Sequence, residues 1–197
     1  MKILRKASAL EVKRAFVVSD LVRRPEKGQR YLPLLSADDF AARLAAAKKR
    51  VKKLSAKALD RAIGYKPRRA AYNACTWYLA TVSTREIAIW KGAGGLPRAW
   101  TKGSLAETGG HVRRALAHGG KGLAARSRRA IPRIIATSKS AIATDLYLLP
   151  IILPGGTLPN ARRGVKVFKG DIDDGSMRSV ALAASGAKTI KAWVGKE

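Results

Sequence analysis

The chain has 197 residues, 40 of them Lys or Arg against 13 Asp or Glu, and carries a formal net charge of +27. Its 47% apolar content is enough for a packed core, which excludes a disordered basic tail. The single cysteine, Cys75, excludes an internal disulfide and any multi-cysteine zinc site, and fits a reducing, intracellular compartment.

The longest apolar run, Leu146–Leu153, is interrupted by Pro150 and is far short of the about 20 residues that span a bilayer. No apolar signal stretch follows the basic N-terminus, because Glu11, Lys13 and Arg14 interrupt it. Self-repulsion at such a charge is relieved by a polyanion, and nucleic acid is the commonest dense source of fixed negative charge.

In chain order, Ser8-x-x-Glu11 matches a capping box and predicts a short N-terminal helix. Two apolar stretches between Phe16 and Leu35 flank Arg24-Pro25-Glu26-Lys27-Gly28, a turn sequence, and predict a β-hairpin. A long amphipathic helix is expected from Ser36 as N-cap to Gly64 as stop, with Phe40, Leu44, Ala47, Val51, Leu54, Ala58 and Ala62 on one stripe and Ile63 beside it. Pro67 opens a second helix running through Ala70, Ala71, Ala74, Cys75 and Leu79, and the uncharged run from Ala70 to Ser83 marks it as a core helix. Ser83-Thr84-Arg85-Glu86 is a second capping-box pattern ahead of Ile87, Ile89 and Trp90, read as helix with a strand as the alternative.

Nine glycines between residues 92 and 122 mark a loop-rich middle with a short helix from Val112 to His118. A basic stretch then leads into a helix carrying Ile134, Ile135, Ile142 and Leu146, which Pro132 would kink or restart. Residues 164–169 read as a strand, Ser176–Ser185 as a helix and Thr189–Val194 as a last strand. The expected class is α+β: a mainly helical bundle with an N-terminal β-hairpin and a small C-terminal β-α-β element. Its three stretches are 1–91, the Gly-rich 92–122, and 123–197, together one compact unit.

The candidate nucleic-acid contacts are Lys48, Lys49, Arg50, Lys52, Lys53 and Lys57 on the long helix; Arg68 and Arg69; Arg113 and Arg114; Arg126, Arg128, Arg129 and Arg133; and Arg162 and Arg163. A single charge run is usually a solvated face, but these are spread over the whole chain, and cations within reach of a phosphate backbone are all that unspecific binding requires. Zinc-finger spacing, a basic zipper and an RNP-type aromatic strand are all missing from the sequence, so base-specific reading is unsupported. Most tryptophans read as core; Trp100, between Arg98 and Lys102, is the candidate for base stacking.

Asp171, Asp173 and Asp174 bring three carboxylates within four residues. Asp is favoured as a helix N-cap, so Asp173 or Asp174 is expected to cap the following helix; the alternative is a Mg²⁺ site of a nuclease. His111 and His118 are seven apart, not at the spacing of a helical metal pair, and no nucleophile elbow or P-loop is present in the sequence. No cofactor is expected.

The segment Gly170-Asp171-Ile172-Asp173-Asp174-Gly175 resembles the Gly-Tyr-x-Asp-x-Gly motif of the Oblin proteins encoded by obelisks, viroid-like circular RNAs of bacterial communities. Gly170, Asp173 and Gly175 match its fixed positions, and Asp171 replaces its Tyr. The resemblance implies a helix-rich body with a small β element and a role in binding RNA.

The functional expectation is a basic nucleic-acid-binding protein that contacts phosphates, RNA favoured over DNA because no groove-reading DNA motif is present. The alternatives are the Mg²⁺-dependent nuclease and a structural component of a ribonucleoprotein or virion.

Overall fold

The computed structural model describes residues 1–23, 37–137, 144–157 and 168–197. Strand β1 (Lys2–Ala7) leads into helix α1 (Ala9–Arg23), followed by α2 (Ala37–Lys52), α3 (Ala56–Ile63) and α4 (Lys66–Ala74). Then come β2 (Thr76–Ser83), β3 (Ile87–Ala88), two 3-10 turns at Ala93–Gly95 and Arg98–Thr101, α5 (Leu105–Ala117) and α6 (Ala125–Thr137). The chain closes with β4 (Ile151–Pro154), β5 (Gly170–Asp174), α7 (Ser176–Ala184) and β6 (Thr189–Lys196).

The six strands form one mixed sheet in the order β1-β2-β6-β4-β5-β3, so the fold is α+β as expected. Side chains alternate across this sheet, as a pleated strand requires. Trp77 and Leu79 of β2, Ile151 and Leu153 of β4 and Trp193 of β6 join a core with α1 to α4. Ala80 and Val82 of β2, Ile152 of β4, and Ile190, Ala192 and Val194 of β6 join a second core with α5, α6 and α7. The sheet therefore separates two helical layers, each with its own core.

Several local expectations change. The Ser8–Glu11 box forms, with Glu11 accepting the Ser8 backbone N–H at 2.9 Å and its own N–H donating to Ser8 Oγ at 3.2 Å. The helix it starts continues to Arg23, so residues 16–23 are helical rather than the first strand of a hairpin. Val12, Phe16, Val17, Val18 and Val22 bury that helix on nearly every side, a gain a hairpin would forgo. The expected turn and second strand, to Leu35, lie outside the described residues.

The long helix breaks at Lys53–Ser55, where Ser55 caps α3 by accepting the Ala58 N–H at 3.3 Å. The break resets the stripe: Phe40, Leu44, Ala47 and Val51 are buried, but Leu59 and Ile63 are buried in place of Ala58 and Ala62. Gly64 stops α3 as expected, at φ 66°.

The helix predicted through Leu79 ends at Ala74, and Thr76–Ser83 is instead a strand paired with both β1 and β6. Its Thr, Val and aromatic residues favour the pleated state once neighbours exist on both sides. Ser83–Glu86 forms a turn into β3, and the Glu86 carboxylate accepts a bond from Lys169 Nζ at 2.6 Å rather than capping a helix.

Within the Gly-rich middle, Ser104 and Glu107 form a complete capping box, and α5 starts at Leu105 instead of Val112. α6 runs through Pro132 without a break, while Leu146 lies in a turn, exposed, and Ile142 is outside the described residues. Of the strand expected at 164–169, residues 164–167 are outside the described residues; the strand observed is β5, built from the acidic cluster itself.

Candidate functional site

On α2 and α3 the cations lie across from the buried stripe. Lys49, Arg50, Lys52, Lys53 and Lys57 are exposed, whereas Lys48 is half-buried, bound to Asp145 and set over the Tyr147 ring. On α5, Arg113 and Arg114 are exposed on the side away from Leu105, Thr108 and Val112. On α6, Arg128, Arg129 and Arg133 are exposed around the buried Ala130, Ile131 and Ile134. Arg69 is half-buried. Arg126 is part of α6, but its side chain, like Arg162 and Arg163, lies outside what the structure describes. The exposed cations among these candidates thus fall into two groups, one on each helical layer, while Lys2, Arg5, Lys6, Lys191 and Lys196 are exposed on the sheet itself.

Arg68 belongs to neither group. Its guanidinium makes two parallel bonds to Asp173, Nε to Oδ2 at 2.7 Å and NH2 to Oδ1 at 2.9 Å, and Tyr72 O–H donates to the same carboxylate at 2.7 Å. This is the planar fork geometry for which Arg is suited. Burial pulls the Arg68 pKa down, but the bonds and charge of Asp173 more than compensate and hold it raised. Tyr72 is fully buried, and burial together with Asp173 pushes its hydroxyl far above the ordinary tyrosine value, so it stays a donor.

Asp174 sits at the end of β5 and joins both layers. It accepts the Ser19 hydroxyl of α1 at 2.6 Å and NH2 of Arg178 on α7 at 3.0 Å, with Arg23 NH1 at 3.5 Å. Arg178 also donates to Ser19 Oγ from both terminal nitrogens at 3.1 Å. Burial raises the carboxyl, but the charges of Arg178 and Arg23 outweigh it and hold Asp174 below the usual carboxylate value.

The N-cap expectation for the cluster is overturned: Gly175 caps α7 at φ 85° with no side-chain bond, leaving both aspartates free to face arginines. The cluster does not converge on one point either. Asp171 accepts the Gly156 N–H at 3.1 Å, while Asp173 and Asp174 bind separate guanidiniums. No group of three or more His, Cys, Asp or Glu that could hold a metal ion occurs among the described residues.

Beside the aspartates lies a cleft of about 550 Å³ whose walls include Arg23, Arg68, Trp90, Gly94, Met177 and Arg178. Its polar side is the aspartate–arginine network and its apolar side comes from α6 and the first 3-10 turn. Trp100, the stacking candidate, is half-buried in the second core with one face stacked on His111 at 5.7 Å between ring centroids. Trp77 and Trp193 are core residues, as expected.

Sequence reading missed Ser19, Arg23, Tyr72 and Arg178. Only Arg178, four residues beyond Asp174 on the way into a helix, carries a local signal. The others meet the aspartates from over 100 residues away. Comparison with protein-family models, curated proteins and solved structures returns no match. Among the described residues no helix is long and apolar enough to cross a membrane.

Proposed function

We propose that this protein binds nucleic acid, RNA in preference to DNA, through phosphate contacts with little base discrimination. The observation that carries the proposal is how the charges are divided. Asp173 and Asp174 are taken by Arg68 and Arg178 inside the fold, and Asp60 and Asp145 by Lys13 and Lys48 nearer its surface, while Lys49, Arg50, Lys52, Lys53, Lys57, Arg113, Arg114, Arg128 and Arg129 face solvent. The carboxylates thus serve the fold, and the excess positive charge is left at the surface. The resemblance of residues 170–175 to the Oblin motif supports RNA as the ligand.

The test is a fluorescence titration of the protein against RNA and DNA duplexes of several sequences between about 50 and 200 mM salt. With six or more phosphates contacted, affinity falls about 10³-fold over that range. A salt-insensitive titration, or a strong preference for one sequence, refutes the proposal.

A further inference from the structure

Two clusters of exposed cations stand out, one on each helical layer. Lys49, Lys52 and Lys53 project from the layer packed on Trp77, Leu79, Ile151, Leu153 and Trp193. Arg113, Arg114 and Arg129 project from the layer packed on Ala80, Val82, Ile152, Ile190 and Ala192. These two sets of core residues alternate along the same strands, so the layers lie on opposite faces of the sheet. Lys49, Arg114 and Arg129 stand on the far side of their helices from the buried residues, Lys52 and Arg113 on the flanks, and Lys53 in the break after α2. A helix–sheet–helix stack of three layers, each about 10 Å thick, puts the two sets of charged heads about 30 Å apart.

That spacing is about three Debye lengths at 0.1 M salt, so each cluster adds little to the potential at the other. A straight duplex lying on one layer has the whole sheet between it and the other. We infer that one copy of this protein holds two segments of nucleic acid at once, one on the α2–α3 face and one on the α5–α6 face, and so bridges duplexes. This inference rests on the proposed nucleic-acid binding and adds a second, opposed site to it. Bridging is the activity that lets a small basic protein condense a polyanion instead of only coating it.

The experiment is co-capture. A biotinylated RNA duplex on beads is mixed with a fluorescent duplex of the same sequence and the full chain, at one protein per two duplexes in about 0.1 M salt. Three proteins are compared: wild type, the face-one variant K49Q/K52Q/K53Q and the face-two variant R113Q/R114Q/R129Q, each checked for unaltered circular dichroism. Wild type retains the fluorescent duplex on the beads. Each variant still binds a single duplex in a mobility-shift assay, but loses about 10²-fold affinity on the altered face if three phosphate contacts go, and co-capture collapses. An equimolar mixture of the two variants does not restore it.

Wild-type binding without co-capture overturns the inference. So does undiminished co-capture by either variant. Restoration by the mixture also overturns it, because bridging would then come from paired copies instead of one. Absence of any wild-type binding overturns the proposed function itself, which the mobility shift reads separately.

Discussion

Replacing Asp174 with Asn removes the charge that Ser19, Arg23 and Arg178 surround. The side chain is 3% exposed and its main partner, Arg178, 8% exposed, so the pair lies in the interior, while Arg23 at 52% contributes through solvent and adds little. Asn still offers an oxygen to the Ser19 hydroxyl, but leaves the Arg178 guanidinium buried without its counter-charge. Breaking a buried pair by removing one partner costs about 3–5 kcal/mol. With a urea m-value of about 3 kcal/mol/M for a domain of this size, the midpoint falls by about 1–1.7 M. Urea titrations followed by far-UV circular dichroism and tryptophan fluorescence measure it. The companion variant D174L/R178M removes both charges and recovers most of the loss, since apolar replacement of a whole buried pair is often close to neutral. Had Asp174 been a helix cap, Asn would serve as well and the midpoint would barely move. A shift in D174N below about 0.3 M, or a double variant as unstable as the sum of its singles, refutes the ion-pair account.

Acid titration probes the same group. The folded-state pKa of Asp174 is below its unfolded value of about 3.9, so its stabilisation is present above that pH and is lost as pH falls through the folded value. The wild-type urea midpoint therefore drops more steeply than that of D174N below about pH 4, and parallel curves would contradict this. In α5, a Cβ on Gly109 would lie 2.6 Å from the Ala183 Cβ and 2.7 Å from its carbonyl carbon, whereas one on Gly110 meets nothing within 4 Å. Gly109→Ala should lose about 1–3 kcal/mol by overpacking, while Gly110→Ala gains up to about 1 kcal/mol from helix propensity, both read from thermal melts. K49Q/K52Q/K53Q should lower the salt-dependence slope of binding by about 3 on every duplex tested, with no change in unfolding midpoint. Loss on one sequence only would point to base readout.

Capping chemistry was the most legible part of the sequence, but only where the following residues agreed with it. Ser8-x-x-Glu11 and Ser104-x-x-Glu107 both form boxes, yet the second was hidden by Gly109 and Gly110, which depress helix propensity. Gly109 is there because α7 approaches too closely for a side chain, a tertiary reason no local pattern carries. Ser83-x-x-Glu86 has the same local signature and forms no helix, because Ile87 and Ala88 find a parallel partner in β5. β2 was hidden for a related reason: an uncharged run of mixed propensity becomes a strand when β1 and β6 flank it. The basic face of α2 could be read because charge opposite an apolar stripe is a property of one helix, whereas on α5 and α6 only the arginine clusters were legible. The aspartate network could not, because three acids in five residues are poor strand formers until Arg68, Tyr72 and Ser19 arrive from distant segments, beside the nearby Arg178, to satisfy them.

β6 comes after every other strand in the chain, yet in the sheet it stands between β2 and β4. As the polypeptide leaves the ribosome, β1 and β2 can pair, but β2 keeps one open edge, and β4 has no neighbour on the side that β6 will fill. Until Thr189–Lys196 is delivered, the nascent chain therefore carries two unsatisfied edges that invite pairing with other chains. A nonsense codon between Ser185 and Thr189 would not trim a fringe but remove β6 whole, splitting the sheet down its middle and separating β1–β2 from β3–β5. Truncated products should accordingly be cleared or aggregate rather than persist as shortened, working protein.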